Sequence, residues 1–332
     1  LVNKILMNLP EVKGPLQKKL GFNEKLKWTS IILVAFFVLG VVPLWGLSQN
    51  ALQQFEFLSI ILGAKFGAII SLGIGPLVTS SIVLQLLNGS GIVNFDLASV
   101  DGKKKFQAIQ KLLGLFFIIF EGFIYVFMGG LSPDAALAPN MYMWMQLALV
   151  AQLIIGGILI MAMDEIIQKW GFGSGISLFI AAGVSSQIII RAFSPLSSAG
   201  TIAFGTAQGA VGKVWVFLSS LASGVLTEAM KAGISILATF LVFALAVYAQ
   251  AMKVEIPLSF GRIRGHGIRW PLNFIYTSNI PVILIAALLA NIQLWARLME
   301  NWGFPLLGTF SGNVPVSGLV LWVYSPNVVD KI

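Results

Sequence analysis

Apolar runs close to twenty residues long are the feature that most limits how this chain can fold. A bilayer core about 30 Å thick needs about 20 predominantly apolar residues to cross as a helix. The chain is 57% hydrophobic and only 10% charged, a composition far from that of ordinary soluble domains. We therefore predict an all-α membrane protein, a polytopic helical bundle with spans at residues 28–47, 67–87, 107–130, 141–163, 173–193, 232–252 and 272–296.

Lysine and arginine are unevenly distributed among the segments that join these spans. Most of them fall on one side of the membrane if the N-terminus is cytoplasmic, with the run 103–105 as the clearest example. Because basic loops stay on the cytoplasmic side, we predict a cytoplasmic N-terminus. The expected location is the plasma membrane. The net charge of +8 then needs no nucleic-acid partner. Residues 1–27 alternate lysines with leucine and isoleucine, and we predict that they lie along the membrane surface.

Glycine and proline interrupt the second span at SLGIGPLVTSSI, residues 71–82. Proline lacks a backbone N–H, and glycines remove side-chain bulk from the same turn. Apolar side chains stand beside such helix breakers at Ile74, Val78, Phe172, Ile176 and Ile283. One interpretation is core packing with small residues for close approach. The other is a hydrophobic constriction in an aqueous path, and periodicity alone does not choose between them.

Few residues are available for catalysis. The chain has no cysteine and one histidine, His266, which falls in a predicted cytoplasmic loop. Ser174 in GFGSG therefore has no base at membrane depth, and the aspartates, Asp164 among them, are all predicted in loops. Intramembrane proteolysis is disfavoured. We predict no enzyme activity, no metal and no cofactor.

Glu121 is the one carboxylate predicted clearly inside a span. An intramembrane carboxylate is by default a candidate functional group. It fits a secondary transporter of a small solute, with Glu121 as the coupling carboxylate. It also fits a hydrogen bond between packed helices, which we favour. The residues alone leave both alternatives open.

Four separated motifs resemble a known family. They are, in chain order, LGIGPLVTSSIVLQLL, GFGSGISLFIAAGV, IPLSFGRIRGHG and NFIYTSNIPVILIAALLANIQLW. Together they resemble SecY, the large (alpha) subunit of the Sec protein-conducting channel, and most of all its archaeal members. The resemblance implies a translocon that passes unfolded polypeptides across the membrane and releases hydrophobic segments sideways into lipid.

The resemblance also implies an hourglass of ten helices in two halves. On that pattern residues 1–193 are the N-terminal half, 194–231 an external loop and 232–332 part of the C-terminal half. Seven of the ten helices are predicted, so we expect this chain to lack the last three. The resemblance implies a pore ring at the waist formed by Ile74, Val78, Phe172, Ile176 and Ile283. Position 172 departs from the family's usual aliphatic residue, and a sixth ring member would come from the tenth helix.

Two mobile parts of the family map onto this chain. A plug that fills the outer funnel corresponds to about residues 51–65, and its apolar positions are Leu52, Phe55, Phe57, Leu58, Ile60 and Ile61. The lateral gate lies between the second and seventh spans. The polar contacts expected across this gate come from Thr79, Ser80, Gln85, Ser278 and Asn279.

The partners implied by the resemblance are protein and lipid, and no DNA. The basic loop with Arg262 and Arg264 resembles the family's ribosome-docking site, and arginine suits it because its planar fork pairs with phosphate. The expected subunits are a SecE-type gamma subunit and a small beta subunit. Signal sequences, nascent polypeptides and membrane lipid complete the set. No phosphate-binding loop of the GxxxxGK type occurs, so the driving force comes from the ribosome or another external partner.

Overall fold

The structure is a computed structural model that describes residues 11–15, 20–50, 62–197, 210–258, 268–273, 279–311 and 314–324. The helices in this part are α1 (Phe22–Val41), α2 (Gly75–Gly89), α3 (Val100–Phe127), α4 (Pro139–Trp170), α5 (Gly175–Phe193), α6 (Lys213–Ala222), α7 (Leu226–Ala251), α8 (Asn279–Asn301) and α9 (Leu319–Val323). The strands form antiparallel pairs, β1 (Gln49–Asn50) with β2 (Leu131–Ser132), β3 (Lys253–Leu258) with β4 (Ile268–Asn273), and β5 (Phe310–Ser311) with β6 (Val314–Pro315).

The chain divides into two compact units. The first comprises Leu1–Val184 together with Val282–Ile332, and the second comprises Ser185–Pro281. Helix α8 therefore belongs almost entirely to the unit that contains α1 to α4. This division follows spatial contacts and differs from the predicted halves at 1–193 and 232–332, which remain a prediction.

Helices α3, α4, α5 and α7 are each long and apolar enough to cross a membrane. They coincide with the spans predicted at 107–130, 141–163, 173–193 and 232–252. Helices α1 and α8, of 20 and 23 residues, fall on the predicted spans at 28–47 and 272–296. Helix α4 continues to Trp170, beyond the predicted end at 163, because no glycine or proline occurs between that position and Gly171.

The second predicted span, 67–87, is helical only from Gly75. Residues 62–74 form consecutive turns, and Gly73 has φ +58°, a conformation that suits glycine. A Cβ on Gly73 would overlap the carbonyl oxygen of Leu62. Pro76 lies in the first turn of α2, where a missing N–H leaves no hydrogen bond unmade. The proline thus begins a helix and does not interrupt one, which corrects the predicted start of the second span at residue 67.

Glycines set the close packing inside the first unit. A Cβ on Gly157 of α4 would lie 2.6 Å from Ile118 of α3, and a Cβ on Gly156 would overlap the carbonyl oxygen of Ile69. Small residues of this kind let membrane helices approach closely. The turn-rich segment before α2 therefore packs directly against α4.

The second unit contains a helical hairpin and a β-ribbon. Helix α6, which falls in the segment predicted as an external loop, packs on α7 through Phe217, whose ring lies 3.2 Å from the Cβ position of Gly233. Much of α7 is exposed and apolar, with Phe240 at 70% exposure. The predicted turn-rich loop 253–271 is a β-ribbon in its described arms, β3 and β4.

Candidate functional site

A buried polar cluster joins three helices of the first unit. The side-chain N–H groups of Asn291 on α8 donate to Oγ1 of Thr79 on α2, at 2.9 Å, and to Oε1 of Glu121 on α3, at 3.2 Å. The exposure of Thr79 is 2%, and that of Glu121 and Asn291 is 0%. We call these three residues the polar seam.

The polar seam is tightly fitted but incompletely hydrogen-bonded. The Thr79 hydroxyl donates to the carbonyl oxygen of Gly75 at 2.9 Å while it accepts from Asn291. A Cβ on Gly75 would lie 2.9 Å from Nδ2 of Asn291, so glycine is what lets the amide reach α2. Oε2 of Glu121 and Oδ1 of Asn291 have no hydrogen-bond partner among the described residues. One amide thus connects three helices and leaves acceptor capacity unused.

The remaining gate residues predicted from the sequence occupy different places. Ser80 donates to the carbonyl oxygen of Leu77 at 2.8 Å, and Gln85 donates to Ser81 at 3.0 Å, so both bonds lie within α2. Ser278 lies outside the described residues, as does the side chain of Asn279, the first residue of α8. Their gate roles remain predictions.

Asn291 was missed because no motif singles it out. Its signal was available, since it is a polar residue within the apolar run LIAALLANIQLW, and an intramembrane polar residue marks a helix contact or a functional site. Glu121 was identified by that same criterion. Its hydrogen bond to Asn291 is a contact between packed helices, the role favoured from the sequence over that of a coupling carboxylate. Asp164 was wrongly placed in a loop; it lies in α4 and is 9% exposed.

Three of the five predicted ring residues lie together in the apolar core of the first unit. Ile74 and Val78 are fully buried, and Ile176 packs against the same core. Phe172 is placed differently: it is 39% exposed, and its ring centroid lies 5.3 Å from that of Phe22 on α1. Ile283 lies in α8, but its side chain is not described. We use the name collar for the predicted ring.

A cavity of about 350 Å³ lies among helices α2 to α5. Its apolar lining includes Leu77 and the collar residue Ile176, and its polar lining includes Ser80 and Lys111. A space with this lining is large and polar enough to hold water. Water in this cavity would therefore lie next to the collar at Ile176.

The N-terminal segment is held to the first unit through its backbone. Oε1 of Glu165 accepts from the N–H of Val12 at 3.0 Å, and Nζ of Lys169 donates to the Val12 carbonyl oxygen at 2.6 Å. Nζ of Lys111 on α3 contacts Oε2 of Glu165 at 2.8 Å. We call Lys111, Glu165 and Lys169 the strap clamp. It ties residue 12 to α3 and to the last turns of α4.

Other predicted sites lie outside the described residues. These are the plug positions Leu52, Phe55, Phe57, Leu58, Ile60 and Ile61 and the docking residues Arg262 and Arg264. In the part of the chain that the structure describes, no group of three or more histidine, cysteine, aspartate or glutamate residues could hold a metal ion.

Comparison with known proteins identifies the family. Residues 68–327 match the sequence model of SecY, and residues 34–67, which include the predicted plug, match that of the plug domain of Sec61p. The protein translocase subunit SecY of Methanothermobacter thermautotrophicus is 46% identical over 98% of this chain and 69% of its own length. The chain is also similar to the solved structure of a protein-conducting channel, with TM-score 0.77 and 38% identity over 96% of this chain and 68% of that one.

Sec61 in the canine ribosome–channel complex from the endoplasmic reticulum gives a similar match. The TM-score is 0.76, with 38% identity over 96% of this chain and 68% of that chain. These matches favour a translocase subunit over the small-solute transporter and over an enzyme. They also agree with an all-α, multi-pass membrane fold. The chain belongs to the SecY family of protein translocase subunits.

Proposed function

We propose that this chain forms a passage for unfolded polypeptides and releases hydrophobic segments into lipid between α2 and α8. The polar seam carries this proposal, because it joins α2, α3 and α8 through a single side-chain amide. Hydrogen bonds between membrane helices are worth about 0.6 kcal/mol on average. A contact of that strength closes the gate at rest and yields when a hydrophobic segment competes for the interface.

The collar is the proposed seal of the passage. Branched apolar side chains around a narrow opening exclude ions because water does not wet the constriction. Ile74, Val78 and Ile176 are its members in the apolar core. Phe172, which is partly exposed, and Ile283, whose side chain is not described, complete the set that the sequence predicts. Helix α2 begins at Gly75, so Ile74 lies where a turn-rich segment meets a helix. That junction can shift as a polypeptide enters without unwinding an established helix.

The proposal includes partners and an orientation, and the orientation rests on the distribution of lysine and arginine. The ribosome docks on the loop with Arg262 and Arg264, in line with the similarity to Sec61 in a ribosome–channel complex. This loop and the N-terminus face the cytoplasm, and the channel lies in the plasma membrane with gamma and beta subunits. A plug at about residues 51–65 closes the outer funnel when no substrate is present.

Crosslinking across the polar seam tests the exit path. The chain has no cysteine, so Thr79→Cys with Asn291→Cys allows a short bifunctional thiol reagent to join α2 to α8 specifically. We expect the linked channel complex to stop inserting a signal-anchored substrate, because the gate cannot part. Insertion is measured by protease protection of the substrate in proteoliposomes.

A matched control places both cysteines on one helix. Ser81→Cys with Gln85→Cys links residues that already contact each other within α2, and insertion should continue. Normal insertion through the channel linked at the polar seam would contradict an exit between α2 and α8.

Ion conductance tests the collar separately. Ile74→Gly with Val78→Gly should open a leak in planar bilayers that hold the idle complex, because the constriction widens. Val83→Gly on the same helix introduces the same backbone freedom at a partly exposed position and should leave the bilayer tight. Unchanged conductance in the double variant would remove these residues from the collar.

A further inference from the structure

Asp164 is a buried carboxylate to which the channel described above assigns no role. It lies on α4, six residues before the end of the helix, and it is 9% exposed. Buried carboxylates persist where hydrogen bonds satisfy them. The partners of Asp164 therefore indicate what it does.

One partner of Asp164 is Ile176, the second residue of α5. Oδ1 accepts from the backbone N–H of Ile176 at 3.1 Å. Oδ2 accepts from Nε2 of Gln168 at 2.8 Å, one turn further along α4. The carboxylate thus spans the connection between the two helices, with one oxygen fixed to each.

This arrangement is a helix cap supplied by a neighbouring helix. The first N–H groups of a helix lack partners within it, and a negative charge there is favourable. Most N-caps come from the residue that immediately precedes the helix; here the carboxylate comes from α4. Gly175 is required for it, since a Cβ at this position would lie 2.6 Å from Oδ1 and 2.7 Å from the Cα of Asp164.

We propose that Asp164 is a positioning residue of the collar. The N–H that it binds belongs to Ile176 itself, so the carboxylate fixes where the collar residue of α5 begins its helix and which way its side chain points. Both residues line the same cavity, so water has access to any gap that opens between α4 and α5. This inference rests on the proposed function of the collar.

The test is ion conductance of the idle channel complex, reconstituted with the full-length chain. Asp164→Ala removes the cap, and we expect a leak about fivefold above the wild-type background, the population change that loss of a typical helix cap produces. Asp164→Asn keeps an amide oxygen to accept from Ile176 and should restore most of the seal. Ser99→Ala is the matched control, because Ser99 caps α3 by accepting from Gly102 at 3.1 Å and is not part of the collar.

A double variant separates positioning from a general loss of stability. If Asp164 acts through Ile176, Asp164→Ala should add no leak to that of Ile176→Gly; additive leaks would overturn the inference. If the Asp164→Ala channel does not leak and the Ile176→Gly channel does, the positioning role of Asp164 is also overturned. The proposed collar is retained in that case. A tight Ile176→Gly channel would instead reject the contribution of Ile176 to the collar.

A second variant covers the case in which Asp164→Ala does not assemble. Gln168→Leu removes the donor to Oδ2 and leaves the carboxylate in place. Because the bond from Gln168 holds the carboxylate in the orientation that reaches Ile176, a leak in this variant supports the inference and a wild-type seal overturns it.

Discussion

The polar seam and the strap clamp are both polar clusters of the first unit, with similar bond lengths and opposite burial. In the seam, the Asn291 amide lies 2.9 Å from its Thr79 acceptor, and none of the three residues is more than 2% exposed. In the clamp, Lys169 lies 2.9 Å from Glu165, with side-chain exposures of 29% and 18%. Bond length therefore does not distinguish the two clusters, whereas burial does.

The surroundings decide how each cluster responds. A polar group in a dry interior interacts strongly with its partners, and it is costly when a partner is removed. Partly exposed ion pairs are weakened by water and by dissolved salt. The seam should thus respond to changes in packing, and the clamp should respond to ionic strength.

Loss of Asn291 should have the largest effect. Asn291→Leu removes the donor to both Thr79 and Glu121, and it leaves the carboxyl group of Glu121 in an apolar interior. The expected cost is about 2 kcal/mol, since an unpaired buried polar group costs about 1–3 kcal/mol. The thermal unfolding midpoint of the purified complex measures it. A midpoint equal to wild type would mean that the seam contributes no stability.

A second substitution should recover part of that loss. Glu121→Met combined with Asn291→Leu removes donor and acceptor together, while Thr79 keeps its bond to Gly75. Replacing both partners by apolar groups of similar shape is close to neutral, so the double variant should unfold at a higher temperature than Asn291→Leu. If the double variant is the less stable of the two, the seam is held by packing and not by its hydrogen bonds.

The clamp should show an intermediate effect. Glu165→Gln removes the charge that Lys111 and Lys169 share, and we expect the backbone amide of Val12 to exchange with solvent a few-fold faster, as loss of about 1 kcal/mol implies. Hydrogen exchange at 0.1 and 1 M salt measures this, and high salt should reproduce the effect in wild type. Glu11→Gln is the control, since Glu11 is 68% exposed and lies 3.4 Å from Lys169. Equal protection in Glu165→Gln and wild type would contradict the clamp.

An exposed pair in the second unit should show the smallest effect. Nη1 of Arg269 lies 2.9 Å from Oε2 of Glu255, with side-chain exposures of 71% and 53%. Arg269→Ala should change the stability of the β-ribbon by about 0.5 kcal/mol or less. Amide exchange in β3 and β4 is the measurement. A change larger than that of Glu165→Gln would show that burial does not rank these clusters.

Much of the fold could be predicted because long apolar runs leave a membrane chain few alternatives. Helices α3, α4, α5 and α7 fall on predicted spans for that reason. The start of the helix in the second span could not be predicted, since hydropathy does not distinguish a helix from the apolar turns at 62–74. Those turns depend on packing against Gly156, which is distant in sequence.

The candidate site shows the same limit. Glu121 was identifiable as a charge within an apolar run, whereas its connection to Thr79 through Asn291 required the packing of three helices. Asp164 illustrates the reverse error. A charge near the end of an apolar run suggests a loop, yet burial against α5 and the bond to Ile176 keep it inside a helix.

At position 12 the strap clamp contacts the peptide groups; its side-chain contact to the described part of the segment is the longer one from Lys169 to the exposed Glu11, at 3.4 Å. Glu165 and Lys169 together bind the N–H and the C=O of position 12, which every amino acid except proline presents. The two bonds therefore do not depend on which side chain position 12 carries. The side chain at position 12 can therefore change while this attachment is kept, and a fluorescent amino acid could replace Val12 without releasing the segment.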